Sequence, residues 1–297
     1  MKEAIMELAR KKNAIILAHN YQPPEIQDIA DLCGDSLELS IRAAETDADI
    51  IVFCGVHFMA ETASILCPEK TVLLPCPDAG CPMADMVDTA ALTARQKNLG
   101  GIPVVTYVNS SAAVKAVSDI CCTSANVIQV VNALKADAVL MTPDRNLAQY
   151  AAGHTHKKIH LWEGYCPFHN NLTQADVDAA RQAHPDALFM AHPECPPEIL
   201  AMADTIQSTS GMIQYAGSSP LSQFILGTEN GLLYPISKAN PDKQFFPASP
   251  KMVCPDMKKI SLTDVKHSLE TQAGEVRVPE PTRKKALGAV QKMIDLA

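Results

Sequence analysis

Three stretches of this chain end apolar, strand-like runs at nearly even intervals: LAHNY at 17–21, VVTYVN at 104–109 and MAHPE at 190–194. His19 and Tyr107 are 88 residues apart, Tyr107 and His192 are 85 apart. Two further marks keep step, since Asp31, Asp119 and Asp204 follow each strand end by 12 residues and the hydroxyls of Ser36, Ser124 and Thr209 follow by 17. Thirteen residues beyond each hydroxyl comes another apolar run: DIIVFCG from Asp49, DAVLMTP from Asp137 and SQFILGT from Ser222. A register kept this way in three copies requires three structurally equivalent units.

Within each unit, apolar runs alternate with helical segments at short intervals, which predicts a parallel sheet with helices on both faces. The expected architecture is α/β: three homologous αβα units around a pseudo-threefold axis, with the active site at the centre. Units are expected at 1–85, 86–170 and 171–260, with a helical extension at 261–297. Asp88, Thr173 and Ser261 read as N-caps of the helices that follow. Ligands of such sheets gather at the carboxyl ends of the strands, where His19, Tyr107 and His192 fall. Ser36, Ser124 and Thr209 are read as capping residues of helices whose amides face a bound anion. Asp31, Asp119 and Asp204 are assigned to helix capping or to hydrogen bonds between units.

The repeat also sorts the ten cysteines, six of which precede proline. Cys81, Cys166 and Cys254 follow Ser36, Ser124 and Thr209 by 45, 42 and 45 residues, in AGCPMAD, GYCPFHN and MVCPDMK. One cysteine thus falls at the same place in each unit. Cys67, Cys76 and Cys195 have no counterparts and drop out, and Cys33, Cys54 and Cys121 sit in apolar segments as small core residues. A net charge of -8 argues against a general nucleic-acid surface. The apolar runs are too short to span a bilayer, and MKEAIMELARKKN reads as an amphipathic helix rather than a secretion signal, so no membrane partner and a cytoplasmic location are expected.

Three thiolates on an axis can hold zinc, with His169 as fourth ligand through the Cys166-x-x-His169 spacing. Structural zinc sites draw close ligand pairs from local loops, whereas these cysteines are 85 and 88 residues apart. A cubane iron-sulfur cluster suits so wide a site better and, with three protein ligands, leaves one iron open as a Lewis acid. His154, His156 and His160 in HTHKKIH read as a solvated helix end leading into a strand. Tyr150 and Trp162 read as packing residues.

AHNYQ, GDSLELS, GCPMADM, YVNSSA, CTSAN, EGYCPFH, HPEC, STSGM and VCPDMKKI occur in this order along essentially the whole chain. In this the sequence resembles the quinolinate synthase family, iron-sulfur enzymes of bacterial and archaeal NAD biosynthesis. The resemblance implies that Cys81, Cys166 and Cys254 bind a 4Fe-4S cluster whose fourth iron accepts substrate. It implies condensation of iminoaspartate with dihydroxyacetone phosphate to quinolinate, phosphate and water, with an aspartate-oxidising enzyme as source of iminoaspartate. Glu194 is then the general base, with His19 and Tyr21 assisting ring closure and water loss. Ser36, Ser124, Thr209, Tyr107, Asn109 and His192 become donors to carboxylates and phosphate, and His169 reaches a substrate carboxylate. The CxxCxxC grouping that some relatives carry near the last ligand is missing here, where only Cys254 stands. Two other readings remain at this point: a zinc-stabilised, three-lobed binding protein, and a cluster enzyme similar to the diphthamide synthesis proteins.

Overall fold

The computed structural model describes residues 1–296; Ala297, the last residue of the expected extension, lies outside them. Among the described residues, twelve strands form three sheets of four. The first sheet holds β1 (Ala14–His19), β2 (Leu32–Gly34), β3 (Ile50–Cys54) and β4 (Thr71–Leu73). The second holds β5 (Val104–Tyr107), β6 (Ile120–Cys122), β7 (Ala138–Thr142) and β8 (Lys158–Leu161). The third holds β9 (Leu188–Ala191), β10 (Thr205–Ile206), β11 (Gln223–Gly227) and β12 (Gln244–Pro247). All are parallel, and the spatial order is the same each time: β2-β1-β3-β4, β6-β5-β7-β8 and β10-β9-β11-β12. The fold is therefore α/β with three equivalent parallel sheets.

Central strands such as β3 are buried at every position, as a sheet covered by helices on both faces requires. In each sheet the chain runs from the first strand outward to one side, then crosses to the other. That reversal creates the crevice at the carboxyl ends where such sheets bind ligands.

The recurring aspartates have a different role from the one expected. Asp31 pairs with Ile16 twice: its N–H donates to the Ile16 carbonyl and its carboxylate accepts the Ile16 N–H, both at 2.8 Å. Asp119 does the same with Val104 (3.1 and 2.8 Å) and Asp204 with Phe189 (3.0 and 2.8 Å). Each aspartate stands just before the edge strand β2, β6 or β10, level with the first strand of its own sheet. The side chain adds a rung where the ladder begins, so these bonds lie within units and cap no helix.

Asp88, Thr173 and Ser261 do cap the helices Thr89–Asn98, Gln174–Ala183 and Leu262–Thr271. Ser36 and Thr209 do not cap theirs. Asp35 accepts from Leu37 and Glu38 N–H, and Ser208 accepts from Gly211 N–H, so the cap lies one residue earlier. Ser124 precedes its helix, Val127–Ala133, by three residues. With the amides of the first turn claimed by Asp35 and Ser208, the Ser36 and Thr209 hydroxyls are released from capping.

After the third sheet the chain returns to the first. Residues 274–276 pair antiparallel with the β4 edge, Leu74 N–H to Gly274 O and Val276 N–H to Val72 O both at 2.8 Å. Gly274 has φ +83°, and a Cβ there would meet Leu74 O at 2.2 Å, so only glycine fits this approach. The final helix, Glu280–Ile294, buries Ala286, Ala289, Val290 and Met293 against the first two units, packing on His57–Leu66, Ala112–Lys115 and β6. Among the described residues no helix is long and apolar enough to cross a membrane.

Candidate active site

His19 ends β1, Tyr107 ends β5 and His192 directly follows β9, so the equivalent strand ends of all three units face one cavity. All the residues singled out from the sequence line it: His19, Tyr21, Ser36, Tyr107, Asn109 and Ser124, then His169, His192, Glu194 and Thr209, and the three cysteines Cys81, Cys166 and Cys254.

Each cysteine opens a Cys-Pro turn. Cys166 is the N-cap residue of the short helix Pro167–Asn170, and Cys81 and Cys254 precede the 3-10 turns Ala84–Met86 and Asp256–Lys258. Proline suits the first position of such a turn because its missing N–H would have no partner there anyway. The backbone amides that follow favour the ionised sulfur: those of Met83 and Ala84 at Cys81, His169 at Cys166, Asp256 and Met257 at Cys254. Burial nevertheless pushes the Cys81 thiol up to about 12 and the Cys254 thiol to about 11. It raises Cys166 well above the ordinary thiol range, with the Glu194 charge adding to the effect. Such sulfurs are not poised as nucleophiles, which need a lowered pKa. They suit a positively charged centre that ionises them on binding.

His19 and His192 share one local geometry. The ring Nδ1 of His19 accepts the Tyr21 N–H at 3.2 Å, and that of His192 accepts the Glu194 N–H at 3.3 Å. Burial drops both pKa values to about 3, assisted at His19 by Lys258. Both rings are therefore neutral with the proton on Nε2. His192 Nε2 lies 3.2 Å from Ser124 Oγ.

Glu194 is 3% exposed. Burial favours its neutral form, but the His169 ring, with Nδ1 at 2.7 Å from Oε2, and the Tyr107 hydroxyl outweigh this and hold the carboxylate ionised, below its ordinary range. His169 Nδ1 is also 3.2 Å from Cys166 Sγ, and its Nε2 is 2.9 Å from Thr228 Oγ1. Thr228 in turn meets the Tyr21 hydroxyl at 2.6 Å. A continuous chain of buried groups thus joins Tyr21 to Glu194 through Thr228 and His169. Burial pushes the phenols of Tyr21 and Tyr107 well above their ordinary range, so both stay protonated.

Donor atoms of Cys166, His169 and Glu194 lie within 4.8 Å of one another, a mixed set that can hold a single metal ion. Asn109 Oδ1 is buried without a partner at the cavity wall, a polar atom left for a ligand. A second cavity shares Asp35 and Ser124 with the first and runs between the helix starts of all three units. At its wall Ser210 of the third unit bonds Glu38 of the first.

Thr228, Asp144, Glu229 and Asp35 escape the sequence reading. Thr228 occupies the repeat position held by Gly55 and Pro143 in the other units, and Glu229 that of Val56 and Asp144, so the symmetry that reveals the cysteines conceals these residues. HTHKKIH lies apart from the site, with His154 and His156 exposed beyond the helix Arg145–Ala152 and His160 on β8.

The sequence model of the family described as quinolinate synthetase A protein matches residues 3–295. The quinolinate synthase of Geobacter metallireducens is 57% identical over 295 residues, covering 99% of this chain and 97% of that protein. That of Geotalea uraniireducens is 55% identical over 294 residues, with the same coverage, and that of Methanoregula boonei 53% identical over 296, covering 100% and 98%. The three-unit fold, the shared cavity and these full-length matches agree: the chain belongs to the quinolinate synthase family of enzymes.

Proposed function

We propose that this enzyme condenses iminoaspartate with dihydroxyacetone phosphate to quinolinate, phosphate and water, using a 4Fe-4S cluster held by Cys81, Cys166 and Cys254. One observation carries the reading: three cysteines from equivalent Cys-Pro turns line a single cavity together with His19, Tyr21, Tyr107 and Glu194. The donor set fits the group, being all sulfur and drawn singly from three separate units. When bound, the cluster supplies a Lewis-acidic iron that no protein side chain ligates.

The remaining work falls to the chain's own groups. Both substrates are anions, and the cavity offers neutral donors at His19 and His192 Nε2, at Ser124 and at the released hydroxyls of Ser36 and Thr209. The last two stand in the first turns of their helices and line the cavity. Asn109 lines the same cavity, and its side-chain NH2 is the group that can donate to a carboxylate or phosphate.

Glu194 takes protons from substrate carbon, being ionised and buried within reach of the bound substrates. The protonated Tyr21 hydroxyl gives a proton to a departing oxygen. Its supply is renewed along Thr228 and His169, which link it to Glu194 by bonds of 2.6, 2.9 and 2.7 Å. The proton removed at carbon is thereby returned to oxygen without leaving the site. Burial excludes bulk water, which would otherwise hydrolyse the imine. Iminoaspartate is short-lived in water, so an aspartate-oxidising enzyme is its expected source.

Protein purified without oxygen and incubated with both substrates is expected to be brown, to hold about four irons per chain and to form quinolinate. An iron-loaded, folded sample that yields no quinolinate contradicts the proposal. A colourless, air-stable protein containing zinc points instead to the Cys166, His169 and Glu194 set.

A further inference from the structure

Two residues past the ends of β3, β7 and β11 the three units carry Val56, Asp144 and Glu229. Asp144 and Glu229 are 2% and 1% exposed. Each accepts the backbone N–H of its own unit's cysteine: Cys166 to Asp144 Oδ2 and Cys254 to Glu229 Oε1, both at 3.1 Å. The second carboxylate oxygen is tied to the turn beyond the strand, Asp144 Oδ1 by Leu147 N–H and Glu229 Oε2 by Gly231 N–H, both at 2.7 Å. Used this way, a carboxyl group is a strut between sheet and sulfur-bearing arm, both of its oxygens accepting backbone N–H groups.

Val56 cannot act so, and the first unit is braced differently. Asp256, two residues beyond Cys254, accepts the Gly80 N–H at 3.2 Å. Lys259 pairs with Asp256 at 2.7 Å and donates to Asp78 O at 2.6 Å. The first unit itself contributes a backbone bond, His57 N–H to Ala79 O at 2.8 Å, but the side-chain strut beside Cys81 comes from the third unit.

We propose that Asp144, Glu229 and Asp256 are positioning residues for the three sulfur ligands, and that the Cys81 arm takes its setting from the Cys254 arm through Asp256 and Lys259. This rests on the cluster reading above. Two arms are braced to their own sheets, and the third depends on a neighbouring unit. The Cys81 arm is consequently the one released first when the Cys254 turn is disturbed.

The test follows iron release from loaded, full-length protein under a chelator without oxygen, with thiol alkylation resolved by site as iron leaves. Cys33, half-buried on β2, serves as the reference thiol. Asp256→Ala is expected to lose iron roughly ten-fold faster than wild type, the scale on which groups behind metal ligands act. Alkylation of Cys81 should run ahead of Cys166 and Cys254, with Cys33 unchanged. Asp256→Asn keeps an oxygen able to accept the Gly80 N–H and should stay near wild type, and Asp144→Ala should move the selectivity to Cys166. A parallel rise at all three cysteines, or wild-type iron release from Asp256→Ala, overturns the proposal. Wild-type protein that binds no cluster refutes the cluster reading alone. The positioning claim then stands or falls on whether Asp256→Ala selectively exposes Cys81 in the iron-free chain.

Discussion

His169 Nδ1 stands 2.7 Å from Glu194 Oε2, and both side chains are buried. The ring is held on its far side by Thr228, so it joins Glu194 to the Tyr21 hydroxyl rather than standing free as a ligand. In the proposed reaction, a buried carboxylate placed this way has a base's charge and a route for disposing of the proton it takes.

Glu194→Gln keeps the shape of the side chain and removes its charge. It should leave a brown protein with unchanged iron content and a kcat lowered about 10²- to 10⁴-fold, the usual worth of a positioned general base. Visible absorption and steady-state kinetics together check this, and a colourless variant would mean that Glu194 supports the metal centre instead.

Thr228→Val interrupts the same chain at its middle. The Tyr21 hydroxyl and His169 Nε2 each lose their partner. A fall in kcat of about ten-fold or more is expected, with KM and iron content little changed, since no substrate contact is assigned to Thr228. A rise in KM at unchanged kcat would show that Thr228 serves binding instead.

The aspartate rungs are a matter of stability rather than catalysis. Asp31→Ala strips the carboxylate from the Ile16 N–H and should lower Tm by about 2–4 °C. Asp31→Asn, which retains an acceptor, should lose less. Thermal unfolding followed by circular dichroism measures both, and equal losses would show that the bond to Ile16 N–H is not what stabilises.

Lys115 is fully buried and donates to Ser110 O, Thr62 Oγ1 and Phe58 O at 2.8, 2.9 and 3.3 Å. Burial lowers its pKa from 10.5 to about 8. Below pH 8 folded and unfolded chains both carry the proton, and the cost of the buried charge is borne in full. Between 8 and 10.5 the unfolded chain holds more protons, so this residue's contribution to stability rises with pH. The gain is about 2 kcal/mol between pH 8 and 10. Buried thiols such as Cys121, pushed up to about 12, pull the other way, so the comparison with Lys115→Met isolates the lysine. Urea unfolding of iron-free protein across this range should show the stability of wild type rising relative to that of Lys115→Met.

How much of this was legible in the letters depended on whether three copies agreed. His19, Tyr107 and His192 repeat at strand ends, and Cys81, Cys166 and Cys254 repeat in Cys-Pro turns, so the convergence could be read before any coordinates. Asp31, Asp119 and Asp204 repeat equally well, yet their partner is the backbone of a strand 15 residues earlier, which leaves no side-chain signature. Two of the three helix caps were misplaced by one residue because Asp35 and Ser208 compete with their hydroxyl neighbours for the same amides. Thr228 and Asp256 act in only one unit, and single-copy contacts across units leave no repeat to detect.

The central claim is that three single cysteines, one per unit, hold one cluster. Counting iron per chain in protein purified without oxygen tests it most directly, in wild type and in six serine variants. About four irons are expected in wild type, with clear loss in Cys81→Ser, Cys166→Ser and Cys254→Ser and full retention in Cys67→Ser, Cys76→Ser and Cys195→Ser. Retained iron in any of the first three, or loss in the second three to match, would contradict it.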